Sequence, residues 1–147
     1  MKIRVVEEEG LEEAEILIRC QPGQTARLRA LLSGLDLEPG RKLAGRREGQ
    51  TYLLEPEKVL YIETVDKKTF LYTAKEVYET DLRLYELEER LGEREFFRAT
   101  KSVLVNFNGI RSLRPDLGGR LRLAMVNGEA LYVSRQYTPA LKKRLGI

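Results

Sequence analysis

The 147-residue chain contains no histidine and no tryptophan, and it has one cysteine. Without imidazole there is no Ser/His/Asp or Cys/His nucleophilic system, and the commonest general base is missing. Cys20 alone excludes an internal disulfide. Zinc or another soft metal would need a Cys/His cluster, so neither a metal nor a cofactor is expected. Glycine patterns that cradle phosphates are also missing: "PDLGGR" and "EPGRKLAGR" match neither GxxxxGK nor GxGxxG and read as turns. Of the 23 acidic residues, 11 lie in "EEEGLEEAE" or "ELEERLGERE", which read as solvated faces rather than catalytic pairs. These absences argue against an enzyme. No run of about 18 apolar residues exists to cross a membrane. The start, "MKIRVVEEEGLEEAE", turns acidic where a secretory signal would be apolar. A cytoplasmic protein without membrane insertion is the expectation.

What is present is enough apolar material for a core, 42% of residues, and a lopsided charge. Residues 1–93 carry 15 basic and 20 acidic side chains, net −5, whereas residues 94–147 carry 11 basic and 3 acidic, net +8. A polyanion facing the C-terminal third would explain that split.

The pattern along the chain predicts a mainly β, α+β fold preceded by a small α/β module. In residues 1–40, "KIRVVEEE" and "EAEILIRC" alternate like two short strands, with Cys20 as a small core residue on the second. Leu28, Leu31, Leu32 and Leu35 then fall on one helical face. Residues 41–50, rich in Gly and charge, read as a linker. From residue 51 to 147, "TYLLE", "VLYIETV", "TFLYTA" and "EVYET" have strand composition. "DLRLYELEERL" switches to helical spacing through Leu84, Leu87 and Leu91, with Asp81 as the expected cap and Gly92 as the stop. "SVLVNF", "IRSLR", "RLRLAMV" and "ALYVSR" return to strand, and Asn127-Gly128 marks a hairpin. A last helix is expected in "YTPALKKRLG", capped by Thr138, with Pro139 first and Gly146 closing.

Three loops carry the residue types that meet phosphates and base edges. They are Lys67, Lys68 and Thr69; Thr100, Lys101 and Ser102; and Ser134, Arg135 and Gln136. The second lies inside "FFRATKSVLVNFNGI", where Phe96, Phe97, Val103 and Val105 are expected to anchor a strand in the core while the triplet forms a loop. If the loops gather on one side of the sheet, they make a nucleic-acid surface. Two rival readings are a module binding RNA or another polyanion and a protein–protein adaptor. The first would use exposed aromatics, and Tyr72, Tyr78, Phe96 and Phe97 are expected to be buried instead.

From about Thr51 to Gly146 the chain resembles the LytTR DNA-binding domain family of bacterial transcription regulators. The similarity is carried by "VLYIETVDKKTFLYT", "LRLYELEERL", "FFRATKSVLVNFNGIRSL" and "NGEALYVSRQYTPALKKRL", in that order. It implies short antiparallel sheets that read successive major grooves of double-stranded DNA through loops rather than a recognition helix. It further implies base contacts from Thr69, Lys101 and Arg135, with their loop neighbours beside them. Relatives often have histidine where Thr69 and Thr100 stand, so base preference at those places does not carry over. Residues 1–40 fall outside the resemblance and are too few for a phosphoaspartate receiver. A stand-alone regulator without a receiver is the expectation, with residues 1–40 mediating dimerisation or meeting a regulatory partner.

Overall fold

Short β-branched and aromatic segments between residues 43 and 133 pair into two antiparallel sheets. The computed structural model describes residues 2–12, 14–32, 42–93 and 95–147, and the chain divides into two units, Met1–Asp36 and Leu37–Ile147.

The first unit departs from expectation. Its described residues hold one helix, α1 (Thr25–Leu32), and no strand. Ile3, Val5, Val6, Ile16 and Leu17 are all exposed, and so is Cys20. Alternation defines an apolar face, but a face becomes a strand only when another surface pairs with it and covers it. Within this unit nothing described does so. Leu28 is half-buried and Leu31 exposed, while Leu35 lies outside the described residues.

In the second unit the expected linker is a strand pair. β1 (Leu43–Arg47) and β2 (Gln50–Leu54) form a hairpin through Glu48 and Gly49, both at positive φ. Gly45 read as a breaker because glycine weakens an isolated strand. Here it is a packing residue: a Cβ on it would lie 2.7 Å from Tyr78 Cβ. β3 (Tyr61–Val65), β4 (Lys68–Tyr72) and β5 (Val77–Thr80) follow, then α2 (Leu84–Leu91), β6 (Phe96–Thr100) and β7 (Val103–Asn106). The sheet order is β2-β1-β5-β4-β3-β7-β6. A second sheet orders β10 (Ala130–Val133), β9 (Leu121–Met125) and β8 (Ile110–Pro115), and α3 (Thr138–Leu145) ends the chain.

Strand alternation sends neighbouring residues to opposite faces of the large sheet, so it carries two cores. On one face Tyr61, Phe97 and Val105 pack with Leu123 and Val133 of the small sheet and Leu141 of α3. On the other, Ile62, Phe96 and Leu104 pack with Leu84, Leu87 and Leu91, the predicted face of α2. Burying a leucine of this kind contributes about 1.5–3 kcal/mol. Phe96 and Phe97 thus serve different cores, and both are buried as expected; Tyr72 and Tyr78 are half-buried.

Two caps differ from the sequence expectation. Asp81 does not cap α2: its carboxylate accepts from Arg46 Nη1 at 2.7 Å, and Arg83 occupies the cap position without a side-chain bond. The ion pair ties β1 to the end of β5, a long-range partner that local spacing does not reveal. Thr138 is the first residue of α3 rather than its cap, and its hydroxyl donates to the Ser134 carbonyl at 2.9 Å. Gly92 and Gly146, at φ 73° and 70°, close their helices as expected. No helix among the described residues is long and apolar enough to cross a membrane.

Candidate nucleic-acid interface

Register puts the three predicted loops at one end of the fold. Val65 pairs with Lys68 across the β3–β4 turn, and Glu63 pairs with Val103 at the start of β7. The β3–β4 and β6–β7 turns are therefore neighbours, joined where Thr64 N–H donates to the Ser102 carbonyl at 2.9 Å. Thr80 pairs with Thr69, so the connection into α2 emerges at the same end.

The third loop joins them through a bulge. β6 and β7 pair at Arg98↔Leu104 and Thr100↔Val103, which leaves Ala99 as an extra residue. Its carbonyl accepts from Ser134 N–H at 2.8 Å, fastening the β10–α3 loop beside the β6–β7 turn. Because Leu121 pairs with both Val133 and Pro115, the β8–β9 connection also lies at this end.

The predicted residues differ in what they present. Lys67 (φ 66°), on the two-residue turn, and Lys68, at the start of β4, are exposed, as are Lys101, Arg135 and Gln136 on their loops. Thr69 is only 5% exposed, and its hydroxyl lies 3.4 Å from that of Thr64. Its side chain forms part of a floor rather than a projecting contact. Thr100 Oγ1 accepts from Ser102 N–H at 3.1 Å and so shapes the turn. Ser134 is half-buried; its carbonyl accepts the Thr138 hydroxyl and the N–H groups of Tyr137 and Thr138.

Several residues at this end escaped the sequence reading. Arg98 Nε donates to Glu88 Oε2 at 2.8 Å, and its Nη1 donates to the Lys101 carbonyl at 2.8 Å. An arginine in the alternation of a half-buried strand was the available signal. Gly119 (φ 78°) backs the Arg135 stem: a Cβ there would lie 3.4 Å from Arg135 Cγ. Arg83 and Tyr85, within the helical segment "DLRLYELEERL", join Lys67, Lys101 and Ser102 around a concavity of about 610 Å³ floored by Thr64 and Thr69.

A β-scaffold that gathers exposed cationic turns at one end defines a loop-presenting nucleic-acid-binding domain. Comparison gives the family. The family model for the LytTr DNA-binding domain matches residues 49–146, and the chain belongs to that family. A solved LytTr DNA-binding domain from Bacillus cereus aligns with a TM-score of 0.69 at 30% identity, covering 72% of this chain and 97% of that one. The sensory transduction protein LytT of Bacillus anthracis is 35% identical over 106 residues, 72% of this chain and 43% of its own length. An uncharacterized HTH-type transcriptional regulator of Staphylococcus aureus (strain NCTC 8325 / PS 47) is 30% identical over 112 residues, 76% of each chain. Among the described residues of the present chain no helix directly follows another, so this end offers turns rather than a helix–turn–helix pair.

Proposed function

We propose that this protein is a sequence-specific transcription regulator that reads the major groove of double-stranded DNA through its loops. The observation that carries the proposal is the convergence of Lys67, Lys101 and Arg135, from three loops distant in sequence, at one end of a LytTr-type scaffold. Arg135 is the base reader. Exposed on a loop fastened through Ser134 to β6, it can make a bidentate contact to guanine O6 and N7. Lys68, Thr100, Ser102 and Gln136 shape or flank the contact turns. The protein acts by binding rather than catalysis, in the cytoplasm where bacterial DNA lies, and its affinity falls steeply with salt.

Selection of bound sequences from a random duplex pool tests this, repeated with Arg135→Ala. An enriched duplex motif is expected, and the variant should lose information at one base pair, worth about 1–3 kcal/mol of discrimination. Failure of the intact protein to enrich any duplex would overturn the proposal. RNA binding is disfavoured by the burial of Phe96 and Phe97, which are unavailable for stacking.

Residues 1–40 supply the self-association or regulatory contact in this proposal. The supporting observation is the exposure of the apolar side chains of Ile3, Val5, Ile16 and Leu17, which a partner would cover. Removing residues 1–40 should change oligomeric state or DNA affinity, as measured by light scattering and duplex titration. No change in either would exclude that role.

A further inference from the structure

The concavity between the first two turns has an unusual lining. Lys67 comes from the β3–β4 turn, Arg83 from the β5–α2 connection and Lys101 from the β6–β7 turn, and Arg98 lies behind them. No carboxylate is among the lining residues. Arg98 is already satisfied, because Glu88 takes its Nε. The other three are exposed and make no ion pair among the described residues. Of the nearby acids, Asp81 is paired with Arg46 and Glu88 with Arg98, while Asp66, beside Lys67 on the turn, is not among the lining residues. Tyr85, 59% exposed, adds a hydroxyl-bearing side chain to the rim, and half-buried Ser102 adds another. A second concavity, between α2 and α3, lacks this character, since Glu88, Glu89 and Glu93 face Lys143 and Arg144 across it.

Three unpaired cations brought from three elements to one concavity create a positive potential there that favours an anion. Two of them sit on turns that the proposed function places against DNA. We infer that the concavity holds a backbone phosphate of the bound duplex, with Arg83 as its principal ligand, Lys67 and Lys101 flanking it and Tyr85 donating from the rim. The inference rests on the DNA-reading proposal and divides its labour. The phosphate site sets register on the duplex and contributes equally on every sequence, whereas Arg135 on the neighbouring loop discriminates among bases. Guanidinium suits Arg83 for this place because its fork presents two parallel donors to phosphate oxygens.

The test is titration of Arg83→Ala and Arg83→Lys with two duplexes, the selected motif and a scrambled one, over a salt series. One lost phosphate contact reduces the slope of log K against log salt by about 0.9, so affinity should fall about eightfold at 0.1 M salt and little at 1 M. Both duplexes should weaken by the same factor, and Arg83→Lys should restore most of the slope but less of the affinity. Tyr85→Phe should lower affinity for both duplexes with the slope unchanged. Arg83 is exposed, so thermal melting of the variants should match that of the intact protein. An unchanged slope in Arg83→Ala, or a loss confined to one base pair of the motif, would overturn the phosphate site while leaving DNA recognition standing. Absence of duplex binding by the intact chain would overturn both.

Discussion

Arg98 and Lys101 are joined by a hydrogen bond of 2.8 Å from the Arg98 guanidinium to the Lys101 carbonyl, and the same guanidinium is held by Glu88 of α2 at 2.8 Å. An exposed lysine on a two-residue turn would ordinarily sample many backbone states. Here the turn is clamped from beneath by a side chain that is 18% exposed, itself oriented by a helix on the far side. The clamp converts the packing of α2 into the position of a contact residue.

Arg98→Ala should therefore destabilise the protein by about 1–3 kcal/mol, the cost of losing charge-assisted bonds at a half-buried site. Arg98→Lys keeps the charge but cannot satisfy both acceptors with a fork. It should weaken binding to the selected and the scrambled duplex by about the same factor, because the Lys101 it positions flanks the phosphate site. Titration of both duplexes with the lysine variant checks this, and unchanged affinity for both would show that the clamp serves stability alone.

Asn106 is fully buried between the sheets' connections. Its Nδ2 donates to the Val59 carbonyl at 2.9 Å, and its Oδ1 accepts from Asn108 N–H at 2.9 Å. Asn106→Ala leaves both backbone groups without those partners and should cost about 2–4 kcal/mol. Urea unfolding should show a lower midpoint at unchanged m.

Gly45→Ala should destabilise by about 1–3 kcal/mol, because the added carbon meets Tyr78 Cβ, an atom that no rotamer change can remove. The distinctive outcome is in the double variant. In a Tyr78→Gly background the same substitution should lose most of its penalty, whereas in Tyr78→Ala it should keep it. Thermal or urea unfolding of the six proteins, three backgrounds each with and without Gly45→Ala, measures the coupling.

Burial pushes the Tyr61 hydroxyl up to about 12, with the carboxylates of Glu129 and Glu63 and the neighbouring Tyr72 adding to the shift. The two tyrosine rings stack with centroids 4.3 Å apart. A raised folded-state value means the native protein keeps a proton that the unfolded chain, titrating near 10, has released. Below about pH 10 both states hold it and Tyr61 contributes no pH dependence; between about 10 and 12 stability falls as pH rises. Tyr61→Phe should flatten that part of the decline, and absorbance titration of the tyrosinates should lose its latest-titrating component.

Much of the second unit is written locally. The spacing of Leu84, Leu87 and Leu91 marks the buried face of α2, Asn127-Gly128 marks a hairpin, and Gly92 and Gly146 stop helices where φ is positive. Local signals failed where the deciding partner was remote. Residues 41–50 looked like a linker because they are rich in Gly and charge and lack a sustained period, yet β1 lies between β2 and β5 with Leu43 buried. Asp81 had the sequence of a helix cap and instead meets Arg46. The alternation in residues 2–20 marked an apolar face, but the described residues show no strand there.

For the candidate site, the sequence by itself determined which loops carry cations, since composition and turn chemistry are local properties. It also determined the family, because "FFRATKSVLVN" and "VSRQY" recur at a defined spacing. Only the tertiary structure decided how those loops meet. Pairing of Glu63 with Val103, and the bulge that frees the Ala99 carbonyl for Ser134, brings turns more than thirty residues apart to one end. The same pairing turns Thr69 inward, raises Arg83 to the rim and sets Arg98 beneath Lys101. Hydrogen-bond register is a relation between strands, and one strand's sequence does not contain it.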